Sequence, residues 1–310
     1  MTSTHRHSDR RSRILLLGVF ILLATLPGVA ARADADSYRH EIEAWRQNRV
    51  ERLTAEDGWL TLIGLFWLKE GANTLGSAPD SGVVLPADKA PAHVGELTLA
   101  GDQLELGVAP GVVVTHQGEP ISKLTLAADT SGQPTILDLG DLQFFVIERH
   151  GRFGLRVRDR AHPARSTFEG IDTYPTTPDW RITGRLERHE PPRTIPVPNV
   201  LGTVNHQASP GTVVFEVDDQ IYRLDALEAS KGRLHLIFAD QTSGPETYGG
   251  GRFLYSDPVA EDGSVVLDFN KAYNPPCAFT DFATCPLPPR QNKLRGLRID
   301  AGEKNHGRHH

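Results

Sequence analysis

The 310-residue chain is short of several things, and each shortage excludes a class of protein. Two cysteines, Cys277 and Cys285, are too few for a disulfide-stapled miniprotein or a four-cysteine zinc site. There is no basic run, and 39 Asp+Glu outweigh 33 Lys+Arg, so the phosphate-binding footprint of a nucleic-acid-binding protein is missing. Beyond the N-terminal segment, no apolar run is long enough to span a bilayer. Neither a Gly-x-Ser-x-Gly elbow, a His-Glu-x-x-His pair nor an EF-hand loop occurs. No metal site is expected, and no motif names a cofactor. What remains, 39% hydrophobic and 23% charged, describes a globular chain whose length suits two modest domains or one large all-β domain.

The first 33 residues read as an address. Arg6, Arg10, Arg11 and Arg13 precede the apolar run Ile14 to Ala24; Pro27-Gly28 follows as a helix breaker, and Ala31-Arg32-Ala33 supplies the small residues a signal peptidase reads. The alternative, an uncleaved anchor, has an apolar stretch that is marginal for ~30 Å of hydrocarbon. Arg10-Arg11 also partly resembles a twin-arginine export signal. The expectation is export, periplasmic or secreted, with no membrane span after cleavage. Without residues 1–33 the chain keeps 28 Lys+Arg and 38 Asp+Glu, a formal charge of −10.

The rest predicts a mainly β protein with one short N-terminal helix. That helix occupies residues 34–55, capped by Ser37 and running to about Leu53, with Tyr38, Ile42, Trp45 and Arg49 on one stripe. Residues 56–165 alternate short β runs with Gly and Gly-Asp turns, the spacing of a β-sandwich. Gly71-x-Asn73-Thr74-Leu75-Gly76, then Val83-Val84-Leu85-Pro86 and Ala90-Pro91-Ala92-His93, resemble the layout of a forkhead-associated (FHA) domain. The resemblance implies an FHA-like sandwich. Where that family grips phosphothreonine with an Arg and a Ser, this chain has Ser77 and Ala90, so phosphopeptide binding is not expected. The prolines from Pro175 to Pro198 suggest a rigid extended crossing between domains. Residues 166–304 then read as a second, barrel- or sandwich-like β domain, and 305–310 as a disordered tail.

Most of the information lies between 240 and 303. Asp268-Phe269-Asn270-Lys271-Ala272-Tyr273-Asn274-Pro275-Pro276-Cys277-Ala278-Phe279-Thr280 continues into Ala283-Thr284-Cys285-Pro286-Leu287-Pro288-Pro289, and Ala301-Gly302-Glu303-Lys304 closes the run. On these segments the chain resembles the DUF1684 family, bacterial and archaeal proteins of unknown function, over residues 38–304. The resemblance implies no activity.

A polar, proline-rich loop of this kind has two explanations. Its side chains satisfy backbone groups and plug a barrel end, or the loop is a rigid site that loses little entropy on binding. On the second, Tyr248, Asn270, Tyr273, Asn274 and Asn292 line a ligand pocket, and Asp268 (acid–base) and Arg252 (orienting an anion) are the catalytic candidates. Whether such a pocket binds or catalyses is open. The other functional classes are an envelope protein-interaction module and a structural protein with a locked C-terminus. Cys277 and Cys285, eight positions apart in a chain expected to be exported, favour a disulfide over a reactive thiol or a metal dithiolate. Tyr248-Gly249-Gly250-Gly251-Arg252 is either a backbone approach to a ligand or a turn whose Arg252 pairs with Asp268 or Glu303. Arg156 and Arg158, two apart on a strand, read as a solvated ladder.

Overall fold

The computed structural model describes residues 1–2 and 27–306, with side chains from residue 34 onward. Most of the expected export signal, including Arg10-Arg11, and the last four residues lie outside the described residues. Among the described residues, no helix is long and apolar enough to cross a membrane.

The described residues are mainly β, with one α-helix and three sheets. Helix α1 spans Pro27–Thr54, starting seven residues before the expected 34–55. Pro27-Gly28 does not break it, because a proline in the first helical position gives up an N–H that has no partner there anyway. The stripe holds as read: Ile42 and Leu53 are fully buried, and Tyr38, Trp45 and Arg49 reach the C-terminal domain.

After the turn Trp59–Thr61, residues 62–159 form two facing sheets. One orders its strands Leu62–Trp67, Arg152–Asp159, Leu142–Arg149, Leu137–Leu139, Val114–His116 and Glu119–Ile121. The other orders Val83–Val84, Gly71–Gly76, Gly95–Ala100, Gln103–Val108 and Lys123–Leu126. In Gly95–Ala100 burial alternates strictly, the period-2 signature of a strand with one face on a core. Leu75, Leu97, Leu106, Phe144 and Leu155 fill the space between the sheets. Gly76 is dictated by contact, since a Cβ there would fall 2.1 Å from the carbonyl oxygen of Ala92. His93 itself is exposed.

The C-terminal sheet orders Arg252–Tyr255, Leu234–Phe238, Gln220–Glu228, Val204–Val217, Arg181–Pro198 and Ser264–Asp268. Here the proline reading is corrected. Pro191, Pro192, Pro196 and Pro198 belong to an 18-residue strand, not to a linker. Pro191-Pro192 fall where the register shifts between Arg188 and Arg193. Only residues 181–185 carry a second neighbour, so Pro196 and Pro198 lie on a free edge where a missing N–H breaks no ladder.

Rings of the same unit cover the outer face of the 152–159 strand, and this overturns the solvated-ladder reading. Arg156 is 4% exposed, under the Trp59 and Phe145 rings at 5.4 and 5.9 Å. Burial lowers its guanidinium to about 10. Nearby, Arg149 Nε donates to Thr284 Oγ1 at 3.1 Å across the junction. The tail expectation is corrected in part: Asn305 N–H donates to Glu246 O at 2.9 Å, and His306 packs on Phe168 at 4.9 Å.

Candidate functional site

Residues 268–303 contain few ladder hydrogen bonds, so their side chains do the work of fixing the loop. Asp268 Oδ1 accepts from the backbone N–H and Nδ2 of Asn270, both at 3.2 Å, and from Tyr38 Oη of helix α1 at 2.8 Å. Asn270 in turn brackets Thr177, accepting from its N–H at 3.1 Å and donating to its carbonyl at 2.8 Å. Burial and the Asp268 carboxylate push the Tyr38 hydroxyl well above its usual range, so it stays a donor. Lys271 Nζ closes this knot on Glu41 at 2.6 Å and Asp268 at 3.5 Å.

A second knot joins the same helix to the end of the domain. Arg49 donates from Nε to Glu303 Oε1 at 3.0 Å and from Nη2 to Asn274 O at 2.8 Å, while Glu303 Oε2 accepts from Asn274 N–H at 2.7 Å. Asn274 Nδ2 donates to Lys304 O at 2.8 Å. Burial raises the Glu303 carboxyl above its ordinary value, with Arg49 working in the opposite direction.

Arg252 has no exposed surface. Its Nη2 reaches Asp240 Oδ1 at 3.2 Å and Ile299 O at 3.2 Å, its Nη1 donates to Ala301 O, and its plane lies 5.4 Å from the Phe238 ring centroid. Its acidic partner is therefore Asp240, not Asp268 or Glu303. The glycines before it answer to packing. At Gly251, φ is +84° and a Cβ would meet Pro288 Cγ at 2.4 Å and Phe238 O at 2.5 Å. Asn292, 1% exposed, accepts from Asp225 N–H and donates to Asp225 O and Ile237 O. Tyr248 is half-buried against the same core, and burial raises its hydroxyl to about 12.

The disulfide expectation is corrected: Cys277 and Cys285 are free, buried thiols. The loop between them closes through two reciprocal bonds, Cys277 N–H to Cys285 Sγ at 3.1 Å and Cys285 N–H to Cys277 Sγ at 3.4 Å. The thiol–thiol hydrogen bond lowers Cys277 and raises Cys285.

Asp268, Arg252, Asn270, Asn274 and Asn292 are thus all buried, in four knots of which Asp268 and Asn270 share one. Tyr273 differs. It lines a cavity of about 220 Å³ between helix α1 and the edge of the C-terminal sheet, facing Trp45, Arg49, Arg52, Arg233 and Tyr255, with Lys271 at the rim. Tyr273 and Tyr255 stack at 6.2 Å, Arg49 lies over Tyr273 at 4.9 Å, and Arg233 lies over Tyr255 at 4.9 Å. Sequence reasoning missed Arg233, Tyr255 and the helix's share of this wall, although an arginine in the apolar stripe of α1 was the available signal. A larger cleft of about 510 Å³ lies at the domain junction, where Trp59 and Phe168 face Phe279 and Phe282.

Residues 166–304 match the family model DUF1684, described as a protein of unknown function. The similarity to that family covers residues 166–304, a shorter stretch than the expected 38–304. The matched stretch holds the C-terminal sheet, all four knots on their C-terminal side, and both thiols. Among solved structures, the chain is similar to an NMR structure of an uncharacterized protein from gene locus rrnAC0354 of Haloarcula marismortui. The two are 28% identical over 46% of this chain and 81% of that one, with a TM-score of 0.38. It is also similar to an FHA domain studied for phosphothreonine-dependent interactions, at 19% identity over 32% of this chain and 96% of that one, TM-score 0.22. A third, the FhaA FHA domain complexed with the intracellular domain of Rv3910, is 19% identical over 30% of this chain and 97% of that one, TM-score 0.22. No curated protein matches the chain.

Proposed function

We propose that this is an exported protein that binds a small molecule in the cavity between helix α1 and the DUF1684 domain. One observation carries the reading: three segments far apart in sequence, 45–52, 233–257 and 271–273, converge on one concave, partly open wall with three aromatic rings. The knots on either side hold that wall rigid, which lowers the ordering cost of binding. Binding is favoured over proton-transfer chemistry by the state of the groups present. Burial pushes the Tyr273 hydroxyl far above its usual range, and Lys271 is committed to two carboxylates.

A thermal-shift screen of metabolites against the full chain tests the binding. A ligand at 100 times its Kd stabilises the fold by about 2.7 kcal/mol. The shift is expected to vanish in Trp45→Ala and Tyr255→Ala; a shift unaffected by either places the ligand elsewhere.

Export rests on the basic, apolar and small-x-small order of residues 6–33. The helix residues that contact the domain, Tyr38, Glu41, Trp45 and Arg49, all follow Ala33, so cleavage there leaves the cavity whole. N-terminal sequencing of the protein from an expressing bacterium is expected to begin near Asp34 in an exported fraction. A cytosolic chain that keeps residues 1–33 would refute it.

A further inference from the structure

The cavity's charges are unequal. The chain is acidic overall, at −6, yet Arg49, Arg52, Arg233 and Lys271 border this one space, with a single bordering carboxylate, Asp257. Two of the four cations are already matched, Arg49 by Glu303 at 3.0 Å and Lys271 by Glu41 and Asp268. Asp257 is engaged elsewhere, by Arg181 at 3.4 Å. Arg52 and Arg233, on opposite walls, make no ion pair among the described residues. Arg233 goes further, because its Nε is buried and has no hydrogen-bond partner.

Arg233 is half-buried and Arg52 exposed, and a partly desolvated guanidinium that has no ion pair is best matched by a bidentate oxyanion. The walls add a second requirement. Trp45 and Tyr273 are tilted at 57° with centroids 6.4 Å apart, and Tyr255 and Tyr273 are near parallel at 19°. Such surfaces favour a flat apolar body over an aliphatic chain. At about 220 Å³ the space is below the roughly 300–1,000 Å³ of sites for drug-sized ligands, which excludes dinucleotides and lipids and leaves room for a single ring.

We infer that the ligand is a small aryl oxyanion, a carboxylate or phosphate on one flat ring, whose charged end is gripped between Arg233 and Arg52. This rests on the cavity being the ligand site, and its test separates the two ideas. Benzoate and phenyl phosphate are titrated into the full chain while Trp fluorescence and heat are followed, with benzamide, benzylamine and inorganic phosphate as comparisons. Benzoate or phenyl phosphate is expected to bind. Arg233→Gln is expected to weaken it at least tenfold, Arg233→Lys to recover part of the loss, and Arg52→Gln to weaken it several-fold with a smaller salt dependence.

Among the described residues Arg233 makes no side-chain hydrogen bond, so its variants should fold, and unchanged melting temperatures verify that. Equal binding of benzamide, or indifference to Arg233→Gln, overturns the oxyanion inference and leaves the cavity as a site for a neutral ligand. Binding of inorganic phosphate alone overturns the ring. Failure of all five compounds at millimolar concentration overturns the inference, whereas loss of every screened ligand's dependence on Trp45 overturns the site.

Discussion

Arg252→Met is expected to destabilise the fold by about 3–5 kcal/mol, because it removes the cation from a buried pair and leaves Asp240 charged inside the core. Both side chains have no accessible surface, and the guanidinium also satisfies the carbonyls of Ile299 and Ala301, which lack another route to water. Asp240 is not simply a counter-ion. It accepts from Ile299 N–H at 2.8 Å and from Thr242 Oγ1 at 2.9 Å, so one carboxylate ties the 240–247 turn to the closing strand-like segment at 297–301. At about 2–4 °C per kcal/mol for chains of 150–250 residues, the loss amounts to a fall of about 10 °C in melting temperature. The double variant Arg252→Met/Asp240→Leu should recover part of it, since no uncompensated charge then remains buried, and the cycle gives a coupling free energy directly. A melting temperature within a degree or two of wild type, combined with lost ligand binding, would restore Arg252 to the functional role its sequence context suggests.

That contrast shows where sequence was readable and where it was not. Strands announce themselves through a two-residue alternation and turn glycines, so the sandwich and the C-terminal β runs could be placed before any coordinates. The signature loop was readable as a unit, because a dense set of Asp, Asn, Pro and aromatic residues has few uses outside a fixed, non-repetitive backbone. What sequence does not contain is distance. Sequence offered Asp268 and Glu303 as partners for Arg252, and the fold selects neither, pairing it with Asp240. Arg156 and Arg158 satisfy every local rule for an exposed ladder, yet Arg156 is buried and Arg158 half-buried beneath the rings of Trp59 and Phe145, which lie elsewhere in sequence. The prolines of the long strand defeated a local rule in the other direction. They are incompatible with a central strand and compatible with an edge, and edge status is a property of the sheet. The cavity is the strongest case: its wall is assembled from helix α1, a strand and the signature loop, so no window of sequence contains it.

Stability should fall as the pH drops from 6.5 towards 4, and His235 is expected to account for up to about 3 kcal/mol of that loss. Its ring stacks on Tyr255 at 4.7 Å and meets the edge of Phe253 at 5.0 Å, and its Nε2 is buried without a partner. Burial lowers its pKa from 6.5 to about 4. Between those values the unfolded chain takes up a proton that the folded chain refuses. The contribution is therefore fully present above 6.5, declines through the window, and levels off below 4. The size follows from 1.36 kcal/mol per pKa unit, reduced wherever the native state relaxes to admit water. Glu303 acts with the opposite sign, because its raised carboxyl takes up a proton more readily in the fold, so the total pH dependence of the wild type does not isolate either group. His235→Phe does isolate the histidine: phenylalanine keeps the ring between Tyr255 and Phe253 and cannot titrate. Urea midpoints at pH 7 and 4.5 for both proteins give the comparison, and the variant should lose less stability on acidification by the stated amount. Identical acid slopes in the two proteins would mean that His235 charges freely in the native state, which its unpartnered, buried Nε2 does not allow.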